Sequence, residues 1–574
     1  MGGQENKMQV SQKTTLTIFF KVNPMQWKLS TMSRFFLLST LGSVLFVWAP
    51  ISHGNTDLAE QCAALAETPN LSLYTAEWQP AEEAEAAHCY VKGLIAPNIH
   101  YYVQLPSPDL WNGRFLNWGD GGFDGDLDYA PHRVAEGYAV ANSNMGHDSG
   151  SEPGGSFAFN NRQAEIDYSY RHLHATVQAA KTVIKAYYGT APNYSYHEGC
   201  STGGRQGLMA AQRFPADFDG IVAGAPAAFL QRLNLEHNWA MQHMFQDNFT
   251  GALSFDTTGD GKLNSLTKAN ILTEAVLAHC DANDGITDSV VNDPMSCNFV
   301  PSRDLSEFMC PQNENADGCF TTDQIKTMEA LYDGPSDSNG VSIYKGKALG
   351  SEVRWPGIVI PHEGNNHSPG VMGLTSHYVN YLFYETDPGV PTMEPTNLTL
   401  KPDPTREPPE YAWWQFDFDD FTAGKGDAMR DITDADDPDL ARFLIQRGGK
   451  LLIYHGWADT VIPPEPIIDY YGEVLSATFD GNTTEAEKSV RLFMVPGMAH
   501  CQGGPGPNTW DRLAPMVEWV ENGTPPDSLT VTHSTNGQID NERILCPHPQ
   551  QAKYKGPENS NHPVNWVAAN FTCE

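Results

Sequence analysis

Eleven residues decide the fold of this chain: Tyr196-His197-Glu198-Gly199-Cys200-Ser201-Thr202-Gly203-Gly204-Arg205-Gln206. They contain Gly199-x-Ser201-x-Gly203, the pattern of a nucleophile elbow, in which a serine projects from a sharp turn between a strand and a helix. A β-prone run, 194–198, precedes the serine, and a helix-compatible run, 205–213, follows it. The bare pattern also occurs in ordinary tight turns, so the strand and the helix on either side carry the prediction.

An acid and a histidine follow the serine in the chain order that an α/β-hydrolase requires. The run 450–456 reads as a buried strand, and Asp459 lies in the turn after it. The run 490–495 reads as another strand, and His500 lies in the loop beyond it. A lone Asp or His is usually structural, but both stand here just beyond predicted strands. We therefore predict a catalytic triad of Ser201, Asp459 and His500.

Two cysteines support this triad. Cys200 immediately precedes Ser201, and Cys501 immediately follows His500. If Ser201 and His500 are hydrogen-bonded, their neighbours are close enough for a disulfide, which needs Cα atoms about 4.4–6.8 Å apart. A Cys200–Cys501 bridge would fix the separation of the elbow from the histidine loop. The alternative is two independent buried thiols.

Three motifs together resemble the tannase and feruloyl esterase family: 199–206 (GCSTGGRQ), 455–459 (HGWAD) and 497–501 (GMAHC). The resemblance covers most of the chain from about Cys62 to Cys573. It implies an α/β-hydrolase fold and a Ser-Asp-His triad whose serine and histidine neighbours share a disulfide. The family also includes an enzyme that hydrolyses mono(2-hydroxyethyl) terephthalate.

The chain has ten cysteines, an even number that suits five bridges in an oxidising compartment. Sequence spacing alone does not choose the connectivity of the other eight. The family resemblance implies that they pair sequentially, as Cys62–Cys89, Cys280–Cys297, Cys310–Cys319 and Cys546–Cys573.

An acidic stretch, 280–290 (CDANDGITDSV), suggests a metal site. Its carboxylates repel one another unless a cation neutralises them, and calcium takes 6–8 oxygen ligands including backbone carbonyls. The spacing is not that of an EF-hand, and taken alone the stretch favours a solvated acidic turn. The resemblance reverses that interpretation, because it implies a structural Ca²⁺ held by Asp281, Asp284 and Asp288 with the carbonyls of Ile286 and Val290.

The alternation of predicted strands and helices indicates a mostly parallel sheet covered by helices. It stops near Pro226 and resumes near Phe443, and the chain between is rich in Asn, Asp, Gly, Pro and aromatic residues. We therefore predict an α/β-hydrolase fold with a large inserted lid domain. Its parts are a first core segment, 55–227, a lid with the calcium site, 228–436, and a second core segment, 437–574.

Residues 1–54 read as an export signal. Phe35 to Trp48 is an apolar run preceded by Arg34, and cleavage after Gly54 would leave small residues at the −3 and −1 positions. Met32 is an alternative start. The apolar run is too short for a membrane anchor. We predict a secreted or periplasmic protein with no membrane partner.

The formal net charge is −35, from 70 acidic and 35 basic residues. Such a charge repels nucleic-acid phosphates, so nucleic-acid binding is not expected. The expected partner is a small-molecule aromatic ester. The sequence makes no prediction of oligomeric state.

These features predict a serine carboxylic-ester hydrolase. The oxyanion needs backbone donors. One should be the N–H of Thr202, and the other should come from Gly121 or Gly122, between which the sequence does not choose. Two alternatives stay open: a related acyltransferase or C–C hydrolase with the same triad, and a non-catalytic, calcium-stabilised binding protein.

By resemblance the acyl group is an aromatic acid such as a feruloyl or galloyl group. Aromatic residues of the lid, 411–416 (YAWWQF), either stack on it or pack in the core. Ile462 stands three residues after the acid, where the terephthalate-monoester enzyme of the family has an aromatic residue. That difference disfavours the terephthalate specificity.

Overall fold

The computed structural model describes residues 53–82, 85–245, 250–256, 263–362, 369–383, 413–557 and 561–574. The predicted export signal falls almost wholly outside them. Gly54 to Glu574 form one compact unit. No helix within the described ranges is long and apolar enough to cross a membrane.

A nine-stranded sheet with the order β1-β2-β3-β5-β4-β6-β7-β10-β11 forms the centre of this unit. Strands β1, β2, β3 and β5 pair antiparallel in turn, and every pair from β5 through β4, β6, β7 and β10 to β11 is parallel. The strands are β1 (Ser72–Gln79), β2 (His88–Ile95), β3 (Ile99–Pro106), β4 (Arg114–Trp118), β5 (Ala139–Ser143), β6 (Tyr194–Cys200), β7 (Gly220–Gly224), β10 (Lys450–Gly456) and β11 (Val490–Val495).

Three small antiparallel pairs lie outside this sheet. They are formed by β8 (Phe255–Asp256) with β9 (Leu263–Asn264), β12 (Leu529–Thr535) with β13 (Gln538–Leu545), and β14 (Ala552–Tyr554) with β15 (Phe571–Cys573). The α-helices are α1 (His53–Ala63), α2 (Pro131–Ala135), α3 (Arg162–Ile166), α4 (His172–Tyr188), α5 (Thr202–Arg213), α6 (Leu230–Phe245), α7 (Leu266–Cys280), α8 (Pro301–Asp304), α9 (Thr322–Asp333), α10 (Gly370–Tyr381), α11 (Asp419–Thr422), α12 (Asp427–Thr433), α13 (Glu465–Phe479), α14 (Thr483–Ala486) and α15 (Ala514–Asn522).

Alternating side chains of the parallel strands bury both faces of the sheet. On β10, Leu451 and Ile453 pack in the apolar cluster that holds α4 and α5. Leu452 and Tyr454 point to the opposite face and pack in the cluster that holds α2 and α15. A parallel sheet covered on both faces needs such continuous apolar runs. The fold is that of an α/β-hydrolase, as predicted.

The chain leaves the sheet after β7 and returns at β10. The segment between them carries α6 to α12 and has a second apolar cluster around the fully buried Trp355. This inserted segment, between β7 and β10, includes the whole of the predicted lid, 228–436. The structure does not test where one domain ends, so those boundaries and the two core segments stay predictions.

One helix begins with an irregular turn, and another differs in extent from its prediction. Helix α4 begins at His172 and is preceded by a π-helical turn, Asp167–Arg171. The buried guanidinium of Arg205 donates to the carbonyl of Ser169 at 3.1 Å, and a donor inserted there widens the turn. The helix predicted from Arg205 begins three residues earlier, at Thr202, directly after the serine.

Three glycines let the elbow approach its neighbouring strand. A Cβ added at Gly199 would lie 2.6 Å from the backbone carbon of Gly203. A Cβ added at Gly119, just after β4, would lie 2.7 Å from the Cα of Gly203. Since these contacts are backbone against backbone, no side chain can move aside to make room.

We therefore expect Gly199→Ala to destabilise the protein by about 1–3 kcal/mol or to prevent folding, because it overpacks a rigid contact. The matched control is Gly472→Ala, on an open face of α13 where a Cβ meets nothing within 4 Å. That variant should be stabilised by about 0.5–1 kcal/mol. Urea unfolding of both variants measures the difference, and equal stabilities would contradict the packing argument.

Candidate active site

Ser201 lies on a strained turn between β6 and α5. Its backbone has φ 63° and ψ −121°, which a non-glycine residue adopts only when its surroundings enforce it. Its N–H donates to the carbonyl of Gly224 at 2.9 Å, and its carbonyl accepts from the N–H of Ala227 at 3.1 Å. The serine is thus tied to the end of β7 on both sides of its Cα.

His500 and Asp459 are hydrogen-bonded. The Nδ1 of His500 lies 2.8 Å from Oδ2 of Asp459, which is fully buried. The other oxygen of Asp459 accepts from the N–H groups of Val461 and Ile462 at 2.8 and 2.9 Å. Because an ionised carboxylate only accepts, Nδ1 of His500 carries a hydrogen and Nε2 is left as the basic atom.

Asp459 is held as an anion although it is buried. Burial acts to raise the pKa of Asp459, but the charge of His500 and the hydrogen bonds from His455 and His500 hold it well below its usual range. The Nε2 of His455 lies 3.3 Å from Oδ2 of Asp459. The carboxylate can therefore orient His500 and stabilise its protonated form.

A disulfide between Cys200 and Cys501 joins the elbow to the histidine loop. Their Cα atoms are 5.9 Å apart, and the bridge spans 301 residues of sequence. Cys501 has a positive φ of 63°, like Ser201. The bridge therefore holds the residues that follow Cys200 and precede Cys501, the serine and the histidine, in neighbouring positions.

The other four disulfides are also present, so all five predicted pairs form. Cys280–Cys297 and Cys310–Cys319 lie in the inserted segment. Cys546–Cys573 joins the end of β13 to β15. Cys62–Cys89 joins α1 to β2.

The loop after β4 lies against the elbow helix. The carbonyl of Asp120 accepts from the N–H of Gly203 at 2.7 Å. The buried side chain of Asp120 accepts from Nε2 of Gln206 at 2.6 Å and from the amide of Asn142. Burial, the largest cause, raises the pKa of Asp120 to about 8 against the effect of these two hydrogen bonds.

The two predicted oxyanion glycines differ in position. Gly122 lines the same cleft as Ser201 and Thr202, whereas Gly121 is solvent-exposed and does not line it. Thr202 is the first residue of α5, so its N–H has no acceptor within the helix. The geometry therefore favours the pair of Thr202 and Gly122.

A narrow cleft opens beside Ser201. Binding clefts of this kind are lined mostly by apolar side chains, with a few polar groups that fix the orientation of the ligand. Its walls come from the elbow, α6, α10 and the acid loop. The apolar lining residues are Phe123, Ala227, Leu230, Leu233, Leu374, Val461 and Ile462.

A family model described as tannase and feruloyl esterase matches residues 85–569. The chain belongs to the tannase and feruloyl esterase family. It is a carboxylic ester hydrolase, and the resemblance of its three motifs to this family is confirmed.

Relatives of this esterase align over nearly its whole length. It is 30% identical to the mono(2-hydroxyethyl) terephthalate hydrolase of Piscinibacter sakaiensis, over 91% of this chain and 90% of that protein. It is 29% identical to feruloyl esterase B of Aspergillus niger, over 82% and 84%. The crystal structure of an esterase from Aspergillus oryzae superposes with a TM-score of 0.72 at 26% identity, covering 90% of this chain and 100% of that one.

His237 of α6 contributes to the cleft of this esterase, although no motif predicted it. Its Nε2 lies 2.8 Å from the carbonyl of Val461, and the N–H of the same peptide group, that of Ile462, donates to Asp459 at 2.9 Å. Burial, the largest cause, lowers the pKa of His237 to about 3, so the ring is neutral and donates through Nε2. One peptide group therefore links the cleft wall to the buried acid. His237 and Val461 are 224 positions apart in the chain, so no local sequence pattern indicates their contact.

The structure describes only some of the aromatic residues of the lid stretch 411–416. Phe416 is buried and packs edge-on against Phe383 and Phe418, with ring centroids 4.8 and 5.3 Å apart, so it belongs to the core. Tyr411 and Ala412 lie outside the described residues, as does the side chain of Trp413.

The acidic stretch of the inserted segment folds into a loop whose three aspartates are buried. Both oxygens of Asp281 accept backbone N–H groups, from Asp288 at 3.2 Å and Ser289 at 2.9 Å. Arg543 of β13, which no pattern predicted, lies 2.7 Å from Asp288 and 3.2 Å from Asp284. The loop thus holds three buried carboxylates, two of which are paired with one guanidinium.

The bridge between Cys200 and Cys501 should matter for catalysis more than for folding. Misplacing reacting groups by about 1 Å can cost about 10²-fold in rate, so the double variant Cys200→Ala with Cys501→Ala should lose most of its kcat while it is still folded. The matched control removes Cys310 and Cys319, a bridge of 9 residues in the inserted segment.

The control should keep its kcat at temperatures below its melting point. Circular dichroism establishes that each variant is folded, and mass spectrometry of a non-reduced digest detects the bridged peptides. A folded Cys200/Cys501 double variant with near-native kcat would show that the bridge does not position the triad.

Proposed function

We propose that this protein is an exported serine esterase that hydrolyses esters of aromatic, phenolic acids, such as feruloyl or galloyl esters. The observation that carries the proposal is the arrangement at the edge of the sheet. A buried anionic Asp459 holds His500, and a disulfide keeps His500 next to the strained Ser201 at the mouth of an apolar cleft.

The reaction follows from this arrangement. Ser201 attacks the ester carbonyl carbon and gives its proton to Nε2 of His500. The negative charge on the carbonyl oxygen is stabilised by the backbone N–H groups of Thr202 and Gly122. The C–O bond to the alcohol breaks, and His500 returns the proton to the departing oxygen. Water then attacks the acyl-enzyme under the same base and releases the acid.

The acyl group is proposed from the cleft and from the relatives. Leu230, Leu233 and Ile462 are among the side chains that make the cleft apolar, which suits an aromatic ring. The relatives include proteins named feruloyl esterase B and mono(2-hydroxyethyl) terephthalate hydrolase.

Export is supported by the pattern of cysteines. Five disulfides use all ten cysteines, and such bridges persist in oxidising compartments. Residues 1–54 have the composition of an export signal. A secreted or periplasmic location accounts for both.

A panel of methyl ferulate, methyl gallate, chlorogenate and p-nitrophenyl esters tests the activity. Ser201→Ala should lower kcat by about 10³-fold or more with little change in melting temperature, because it removes one partly exposed hydroxyl and leaves the backbone of the turn unchanged. Ser306→Ala, on the surface of the inserted segment, is the matched control and should keep full activity. Substantial turnover by Ser201→Ala would refute the proposed nucleophile, and hydrolysis restricted to simple p-nitrophenyl esters would refute the phenolic substrate class.

We also propose that the loop 281–290 holds a structural Ca²⁺. The donor set fits: Oδ1 of Asp288 is buried and has no hydrogen-bond partner, and three carboxylates exceed the single charge of Arg543. Burial raises the pKa of Asp281 and Asp284, so their charged forms are destabilised until a cation binds. The ligands would be Asp281, Asp284 and Asp288, with the backbone carbonyls of Ile286 and Val290.

A chelator should lower the melting temperature of the wild type, and added calcium should restore it, because binding to the folded state alone stabilises it. Activity should fall only as the protein unfolds. Asp288→Asn should abolish the effect of the chelator, and Asp469→Asn, on the exposed face of α13, should leave it unchanged. Purified protein without calcium, together with no thermal shift on adding it, would remove this proposal.

A further inference from the structure

The carbonyl oxygen of Gly122 accepts two hydrogen bonds from side-chain hydroxyls. One comes from Oγ1 of Thr202 at 2.9 Å and the other from the phenol of Tyr168 at 3.1 Å. Both residues line the cleft that contains Ser201. Burial raises the pKa of Tyr168, so the phenol keeps its proton and remains a donor. Neither hydroxyl takes part in a bond change or proton transfer of the proposed ester hydrolysis.

These bonds hold one of the two peptide groups that flank Gly122. The other is held by a turn, because the carbonyl of Gly121 accepts from the N–H of Asp124 at 2.9 Å. In a trans peptide the C=O and N–H point in opposite directions, so this turn sets the direction of the Gly122 N–H. The two hydroxyls set the position of the residue itself, which has a positive φ of 49°.

The start of the same loop is fixed separately. Asp120 is bonded through its carbonyl to Gly203 and through its side chain to Gln206 and Asn142. At the end of the loop, the two hydroxyls are the groups that hold the Gly122 carbonyl against the elbow. Gly122 has no side chain of its own with which to hold its position.

We infer that Tyr168 and the hydroxyl of Thr202 are positioning residues for the oxyanion site, which hold the Gly122 backbone in place against the elbow. This inference rests on the proposed esterase function. Thr202 then acts on both oxyanion donors: its N–H supplies one, and its hydroxyl positions the other. Tyr168 reaches the same carbonyl from the wide turn before α4.

Two donors on one acceptor predict a specific pattern of kinetic effects. Either hydroxyl alone can hold the carbonyl, so each single variant, Tyr168→Phe or Thr202→Val, should lower kcat by only about 3- to 10-fold. With both hydroxyls removed, no side chain holds the Gly122 carbonyl, and the residue can shift together with its turn away from the elbow. Losing an oxyanion donor costs about 10²–10³-fold. The double variant should therefore lose more than the product of the two single losses.

A double-mutant cycle in the full-length protein, with kcat measured on methyl ferulate for the wild type, both single variants and the double variant, gives the coupling between the two hydroxyls. Thr202→Ser keeps the hydroxyl and should retain near-native kcat. The matched controls are Tyr170→Phe, two residues after Tyr168 in the same turn, and Thr182→Val, at an exposed position of α4. Both should leave kcat unchanged. Melting curves establish that every variant is folded.

A second measurement separates positioning from a merely structural role. An aryl boronic acid forms a tetrahedral adduct with the serine and needs the oxyanion donors, whereas ferulic acid, the product, binds the cleft without forming an adduct. In the double variant the affinity for the boronic acid should fall in parallel with kcat, and the inhibition constant of ferulic acid should change less than about 3-fold.

Four results would overturn the inference. Strictly multiplicative losses would show that the hydroxyls act independently. Equal weakening of the boronic acid and of ferulic acid, with KM raised and kcat kept, would assign Tyr168 and Thr202 to substrate binding. Wild-type protein without activity on any ester would refute the esterase function and this inference with it, whereas an active wild type with unaffected variants would refute the inference alone.

Discussion

The rest of the active site depends on one backbone constraint, the sharp turn at Ser201. A positive φ at a serine is costly, and here it is enforced from three directions. Hydrogen bonds tie the residue to the end of β7, the glycines on either side allow contact with β4, and the disulfide from Cys200 ties the strand end to the histidine loop. Because parallel strands end at one edge of the sheet, this turn, the acid after β10 and the histidine after β11 meet there.

Around that turn, burial and the immediate partners together decide the charge of each ionisable group. Asp459 stays anionic because His500 and His455 are its immediate partners. For His237 the effect of burial prevails, and the ring is neutral. Lys347 and Glu236 are both almost fully buried and pair at 2.7 Å, which ties α6 to the loop between α9 and α10 within the inserted segment. The residues that line the cleft are therefore neutral or apolar, and the buried charge next to them is that of Asp459. In such an environment an oxyanion is stabilised chiefly by fixed backbone donors.

The inserted segment and the C-terminal strands are joined by interactions of a different kind. Arg543 of β13 reaches into the acidic loop of the insertion, and a bridge between Cys546 and Cys573 lies just beyond it. Replacing a buried partner of such a pair leaves an uncompensated charge, so this contact constrains both segments together. The elbow helix is held to the insertion in a similar way, through Arg205 and the carbonyl of Thr433 at 3.0 Å.

The sequence by itself determined the elbow, the order of acid and histidine, the sheet architecture and the bridge between the neighbours of Ser201 and His500. Each of these depends on residues that are close together in the chain: a turn, a strand or a pair of adjacent residues. It left open Gly121 against Gly122, and it did not reveal Tyr168, His237 or Arg543. Those residues act across 46, 224 and more than 250 positions of chain. Only the tertiary structure decided them, because contacts between distant segments depend on how the strands and helices pack and leave no periodic pattern in the sequence.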